Sequence, residues 1–123
     1  MKTLLGIGVG SFIGGTLRYL VAQWVQTTAL SAFPFGTLAV NVIGCFLIGA
    51  VFALTEKGFL TIEWRLFLAT GLLGGFTTFS AFSNETVAML RDGQFVYAAV
   101  YVGASVALGL LATVAGAALI KLL

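Results

Sequence analysis

The sequence predicts an all-α integral membrane protein in which a single domain, residues 1–123, crosses the bilayer four times. Two observations carry this prediction. The chain is 60% hydrophobic and only 8% charged, whereas a soluble domain has about 25% charged residues. Its mean hydropathy is +1.12, and four stretches reach the length of about 20 apolar residues that a spanning helix requires. None of them alternates as the strands of a membrane β-barrel do.

The composition also excludes several function classes. The chain has no histidine and one cysteine, which removes histidine acid–base catalysis, His/Cys metal sites and a disulfide framework within the chain. Serines and threonines are present, but no base is placed to activate them. We therefore expect neither an enzyme nor a protein that binds nucleic acid, and we expect the lipid bilayer to be the main environment.

The first predicted span is Leu4–Val25. Its apolar run is long for a signal peptide and has no clean cleavage site, so we take it as a true helix. Gly6, Gly10 and Gly14 share one stripe at four-residue spacing, which predicts a close helix neighbour. Arg18 lies late in this span, where it either extends to the interface or contributes positive potential to a vestibule.

The second predicted span is Phe35–Leu54. Thr37, Asn41, Cys45 and Gly49 fall on one face of this helix. An unpaired amide at membrane depth is costly. Asn41 must therefore either bond across helices or face a hydrated path, and the spacing alone leaves both open.

The third predicted span is Leu66–Leu90, and it is predicted to be interrupted near its middle. Three glycines followed by two threonines weaken the helix around Gly74–Thr78. A break there would release backbone carbonyls, which are oxygen ligands for a hard cation. Phenylalanines then recur at every third position, and their electropositive ring edges can meet an anion. Glu85 follows, with a structural and a functional role both open.

The fourth predicted span is Phe95–Leu122. It has one stripe of polar and small residues on an otherwise apolar helix, and this stripe either bonds to other helices or hydrates an ion. Its members are Tyr97, Tyr101, Ser105, Gly109 and Thr113. No carboxylate lies at mid-depth in any span, which disfavours proton-coupled transport. The pattern favours passive handling of a small ion.

Orientation follows from the positive charges that flank the spans. The side with both termini carries Lys2, Lys57, Arg65 and Lys121, and the other side has Arg91, with Arg18 if its side chain extends outward. This bias weakly favours cytoplasmic termini, and it is small enough to permit insertion in both orientations.

Two motifs identify a family resemblance. The segment Gly-Gly-Phe-Thr-Thr-Phe-Ser-Ala-Phe-Ser at 74–83, together with Gly-Thr-Leu-Ala-Val-Asn at 36–41, resembles the Fluc (CrcB-type) family of small fluoride channels. The likeness covers the whole chain, including the late arginine of the first span and Tyr-x-x-x-Ser in the fourth. It implies an antiparallel, dual-topology homodimer in the bacterial plasma membrane, with two fluoride pores at the subunit interface.

The resemblance also implies residue roles. Asn41 would be the pore amide, Phe79 and Phe82 would present ring edges to fluoride, and Arg18 would lie near a vestibule. Carbonyls of Gly74 and Thr77, from both subunits, would hold a central structural sodium ion. The remaining pore positions implied are Ser80, Tyr101 and Ser105.

Two positions depart from the family pattern. Ala81 stands where threonine is frequent, and Gly109 replaces a hydroxyl residue of the fourth span, so neither is taken as a site. Two other functions compete with the channel. A small multidrug exporter would need an acidic residue within the first span, which has none, and a membrane subunit without transport activity would tolerate apolar replacement of Asn41.

Overall fold

A computed structural model describes residues 1–123 and has four helical stretches long and apolar enough to cross a membrane. They are α1 (Lys2–Ala29), α2 (Phe35–Glu56), an interrupted third span (Ile62–Arg91) and α6 (Phe95–Leu122). The prediction of four spans is therefore confirmed. The first three helices extend past the predicted ends because backbone hydrogen bonding continues through polar residues that hydropathy excludes.

The third span consists of several segments. It begins with α3 (Ile62–Arg65) and continues as a π-helix (Leu66–Leu73) and a short α4 (Gly74–Phe76). After a break it resumes as α5 (Phe79–Arg91). Between α4 and α5, Thr77 and Thr78 have extended backbones, with φ/ψ of −91°/157° and −150°/120°. The predicted interruption is confirmed, whereas no sequence feature indicated the π-helical segment.

Helix α1 packs against the third span through glycines on both sides. A Cβ added at Gly10 would lie 2.8 Å from the carbonyl oxygen of Phe67, and one at Gly75 would lie 2.6 Å from that of Ser11. Both positions therefore require glycine. The predicted glycine contact is confirmed at Gly10 and Gly14, while Gly6 faces open space within the chain.

Helices α2 and α6 run in the same direction and form the other close pair. Gly49 and Gly116 allow the two backbones to meet, since a Cβ at either position would clash with a carbonyl of the opposite helix. The side chains of Val40 and Tyr101 are fully buried. This pair therefore provides a rigid wall on which the polar residues of both helices are fixed.

The α1–α2 connection is held by one glutamine. The Gln26 Nε2 donates to the carbonyls of Ser31 and Phe33, at 2.7 and 2.9 Å, and its Oε1 accepts from the Gly36 amide at 3.0 Å. These bonds satisfy two carbonyls of the connection and the Gly36 amide, which has no helical partner at the start of α2. They also fix Thr37, one residue further on.

Candidate functional site

A cavity of about 400 Å³ lies between α2, the interrupted third span and α6. We call it the central cavity. Its lining includes six of the predicted site residues: Asn41, Gly74, Thr77, Phe79, Phe82 and Ser105. No charged residue lines it. These six residues therefore converge on one neutral space, although they come from three separate parts of the chain.

Asn41 forms a two-way hydrogen bond with the backbone at the helix break. Its Nδ2 donates to the Thr78 carbonyl at 3.0 Å, and its Oδ1 accepts from the Thr78 amide at 2.8 Å. A residue with an extended backbone lacks the hydrogen-bond partners that a helix would supply. The side-chain amide of Asn41 provides both a donor for the Thr78 carbonyl and an acceptor for the Thr78 backbone amide. Asn41 thus bonds across helices and lines the central cavity at the same time.

The break also separates the three phenylalanines of the third span. Phe76 precedes it and is buried, whereas Phe79 and Phe82 follow it and line the central cavity. The two rings lie 5.6 Å apart at a tilt of 46°. Phe79 is 78% exposed. One wall of the central cavity is therefore an exposed phenyl ring, and the cavity is open on that side of the single chain.

The hydroxyl residues of α6 differ in their surroundings. The Ser105 hydroxyl is buried and has no hydrogen-bond partner, although Ser105 lines the central cavity. Tyr101 lies outside this lining, with its ring 5.1 Å from that of Phe82. Ser80 does not line the cavity either, and its hydroxyl lies 3.3 Å from that of Thr78. An unpartnered buried hydroxyl is a ready donor for a ligand.

Glu85 is part of a half-buried cluster of polar side chains that sequence reasoning did not resolve. The Tyr101 hydroxyl donates to its Oε1 at 2.9 Å, and the Thr37 hydroxyl donates to its Oε2 at 2.9 Å. Both donors lie on the polar stripes of their helices, and these stripes are the sequence feature that pointed to the two hydroxyl residues. The sequence could not show that the two stripes meet at one carboxylate.

Arg18 does not line the central cavity. Its Nε donates to the Gly75 carbonyl at 3.1 Å. It lines a smaller cavity of about 210 Å³, which we call the Arg18 cavity, together with Thr37, Thr78 and Glu85. The Nε–H of Arg18 therefore stabilises a carbonyl released by the break.

Two other carbonyls at the break lack such partners. The carbonyl oxygens of Gly74 and Thr77 accept no hydrogen bond within the chain, whereas Leu73 accepts from both the amide and the hydroxyl of Thr77 at 3.0 Å. Free carbonyls in a membrane need water, a cation or another polar group. No cluster of acidic, cysteine or histidine side chains could hold a metal ion, so any cation here would rely on the backbone.

Comparisons with known proteins identify relatives of this chain. The family model described as "CrcB-like protein, Camphor Resistance (CrcB)" matches residues 5–117. A protein of Rhizobium etli is 50% identical over all of this chain and 99% of its own length. One of Geobacter sulfurreducens is 52% identical over 94% of each chain. One of Oceanobacillus iheyensis is 43% identical over 89% of this chain and 84% of its own.

All three relatives bear the name "Fluoride-specific ion channel FluC". Their description as ion channels agrees with the expectation that this chain is not an enzyme. Four apolar helices and bacterial channel relatives identify a multi-pass bacterial membrane protein. Because the family model covers nearly the whole chain, the resemblance drawn from the two motifs is confirmed: the chain belongs to the CrcB-like (Fluc) family.

Proposed function

We propose that this chain forms a passive, fluoride-selective channel through which fluoride leaves the cytoplasm down its electrochemical gradient. The observation that carries the proposal is the central cavity, which combines neutral donors with phenyl rings and has no charged lining residue. Relatives of up to 52% identity bear the name of a fluoride channel, which supports this choice of ion.

The chemistry of the central cavity suits a small anion. The Ser105 hydroxyl is free to donate, and Phe79 and Phe82 can offer electropositive ring edges. Conduction requires that an ion bind well enough to replace its water and weakly enough to leave. A lysine or arginine side chain in the central cavity would hold the ion too long, whereas hydroxyls and ring edges do not.

Arg18 and the Glu85 cluster would act at the entrance. The Arg18 cavity is lined by the Arg18 guanidinium and the Glu85 carboxylate, and the guanidinium is the group there that would attract an anion from solution. Glu85 fixes the hydroxyls of Thr37 and Tyr101, so that these side chains hold one orientation. We assign Tyr101 and Ser80 supporting positions near the path, because neither lines the central cavity.

The direction of flow follows from acid–base chemistry and the membrane potential. Hydrogen fluoride crosses membranes as a neutral acid and ionises in the less acidic cytoplasm, where the anion accumulates. An inside-negative potential assists anion exit by about 2.3 kcal/mol per charge for each 100 mV. No coupling to another ion is needed for net export.

The open side of the central cavity supports assembly as a homodimer. An ion path must be shielded from hydrocarbon, yet Phe79 is 78% exposed in the single chain. A second copy would close this side, and two copies related by symmetry would form two pathways. The small difference in positive charge between the two membrane sides supports an antiparallel, dual-topology arrangement.

The free carbonyls of Gly74 and Thr77 suit a structural sodium ion. Both are hard oxygen donors without partners in the chain, and Gly74 is exposed on the surface of the single chain. Two copies meeting there would contribute two carbonyls each. The ion would neutralise four backbone dipoles and hold the two helix breaks together.

Growth of a fluoride-sensitive bacterial strain tests the cellular function. Expression of this chain should restore growth in fluoride medium and lower the cytoplasmic fluoride concentration, because a passive path lets the accumulated anion leave. The control is the same strain with an empty vector, and membrane fractions verify expression. Abundant membrane-inserted protein without any rescue would refute the proposal.

A further inference from the structure

Besides the central cavity and the Arg18 cavity, a groove lies between α2 and α6, towards the membrane side that carries both termini. It has a volume of about 350 Å³ and runs between small residues on the two helices. Gly49 and Ala53 line it from α2, and Thr113 and Ala117 line it from α6. We call it the Lys121 groove. None of the proposed pore residues lines it, although Ile48 lines both this groove and the central cavity.

Charged groups lie at only one end of this groove. Glu56 is the last residue of α2, and Lys121 lies in the last turn of α6; both line the groove and are exposed. A second ammonium is close, because Lys57 Nζ donates to the Ile120 carbonyl at 2.8 Å. The groove is therefore lined by one carboxylate and one ammonium group where these helices end, and the Lys57 ammonium is bound beside it, at the residue that precedes Lys121.

The depth of the groove matches a membrane lipid. From Glu56 the lining reaches Ile48, eight residues along the helix, or about 12 Å at 1.5 Å per residue. The charged mouth is thus at the interface, and an apolar floor descends towards the bilayer centre. A polar, water-soluble ligand would not be stabilised by an apolar floor. A lipid matches the groove, because its charged headgroup lies at the interface and its acyl chain extends towards the bilayer centre.

We propose that the Lys121 groove binds phosphatidylethanolamine. The phosphate lies between the ammonium groups of Lys121 and Lys57, and the headgroup amine donates to Glu56. Basic groups between helices at a membrane surface bind lipid headgroups, and the adjacent carboxylate selects an amine that has N–H donors. The upper part of one acyl chain fills the space between Ala53 and Ala117. This site does not depend on which ion the channel conducts.

Lipid retention measured by native mass spectrometry tests the proposal. The purified protein is delipidated and titrated with phosphatidylethanolamine or phosphatidylcholine, which differ only in methylation of the amine. We expect phosphatidylethanolamine to bind roughly tenfold more tightly, as one charge-assisted hydrogen bond predicts. Equal binding of the two lipids would overturn the proposal.

Variants assign the contacts. Glu56→Gln should reduce the preference for phosphatidylethanolamine, because its neutral amide oxygen still accepts from the amine but without charge assistance. Lys121→Gln should weaken the binding of both lipids roughly tenfold. Ala117→Phe should fill the groove and reduce all binding. Glu63→Gln and Lys2→Gln are the controls, because they remove charges on the same membrane side but outside the groove.

Two results would overturn the site itself. One is lipid retention that is the same in Glu56→Gln, Lys121→Gln and the unmodified protein. The other is an Ala117→Phe variant that no longer self-associates but still binds lipid. This result would mean that the groove is occupied by a second copy of the chain rather than by a lipid. Fluoride flux measured on the same samples keeps this outcome separate from the fate of the channel proposal.

Discussion

Asn41 shows how a single side chain can stabilise a helix break inside a membrane. The sequence left open whether its amide bonds across helices or faces a hydrated path. The structure shows that both groups of the amide bind Thr78, while Asn41 also lines the central cavity. The two alternatives are compatible because the backbone at the break is itself part of the cavity wall.

The role of ring edges is tested by Phe79→Ile. Isoleucine keeps apolar bulk but has no electropositive edge, so fluoride loses a partner in the central cavity. We expect fluoride flux to fall at least tenfold, measured in liposomes with an ion-selective electrode, while self-association persists. Phe12→Ile is the matched control, since Phe12 is 75% exposed on α1 and lines no described cavity. Unchanged flux in Phe79→Ile would contradict the role.

Glu85 is expected to act mainly through the two hydroxyls it accepts. Glu85→Ala leaves Thr37 and Tyr101 without their acceptor, which should cost about 1–3 kcal/mol and lower the melting temperature of the purified protein. Glu85→Gln retains an acceptor oxygen and is the control. Equal melting temperatures for the alanine variant and the unmodified protein would contradict this role.

The third span is the element in which sequence and structure differ most. Its interruption could be predicted, because glycines followed by threonines weaken a helix wherever they occur. The π-helical segment Leu66–Leu73 could not, because its geometry accompanies close contact with α1 at Gly10 and Gly14. Local propensity carries no information about such a contact between distant segments.

The restart of this helix depends on a capping side chain. The Thr78 hydroxyl accepts from the Ala81 amide at 3.1 Å at the start of α5. Thr78→Ala should therefore destabilise the protein by about 1 kcal/mol, as the loss of an N-cap predicts, and should lower its melting temperature in detergent. Thr78→Ser keeps the capping oxygen. Equal melting temperatures for the Thr78→Ser and Thr78→Ala variants would show that the capping hydroxyl does not stabilise the start of this helix.

The ends of the helices also show what hydropathy in the sequence can and cannot predict. The fourth span could be predicted to the residue, Phe95–Leu122, because a tight charged turn precedes it. The first span extends four residues beyond its predicted end, since Gln26 and the following threonines remain helical. Polar residues near the interface can hydrogen-bond to water, so hydropathy does not mark where the helix ends.

At the scale of the whole molecule, the meeting of the two polar stripes was beyond sequence reasoning. Tyr101 and Thr37 were on predicted stripes, but their common partner Glu85 is 16 and 48 residues away. Likewise, the separation of the Arg18 cavity from the central cavity depends on the three-dimensional position of the break. The sequence could therefore indicate which residues belong to the site, but not which of them share a cavity or a hydrogen-bonded cluster.

The proposed sodium ion makes a prediction for the assembled protein. If the Gly74 and Thr77 carbonyls of two copies hold it, sodium stabilises the folded dimer by mass action. Melting temperature should rise with sodium concentration at constant ionic strength, and potassium should not replace it. A melting temperature that is the same in sodium and potassium would contradict a sodium site.

The central claim is selective, passive fluoride conduction, and efflux from liposomes tests it most directly. Purified protein is reconstituted with potassium fluoride or potassium chloride inside, valinomycin is added, and the released anion is followed with an ion-selective electrode. We predict rapid fluoride efflux and negligible chloride efflux. Well-folded protein that releases no fluoride, or that releases chloride equally fast, would contradict the account.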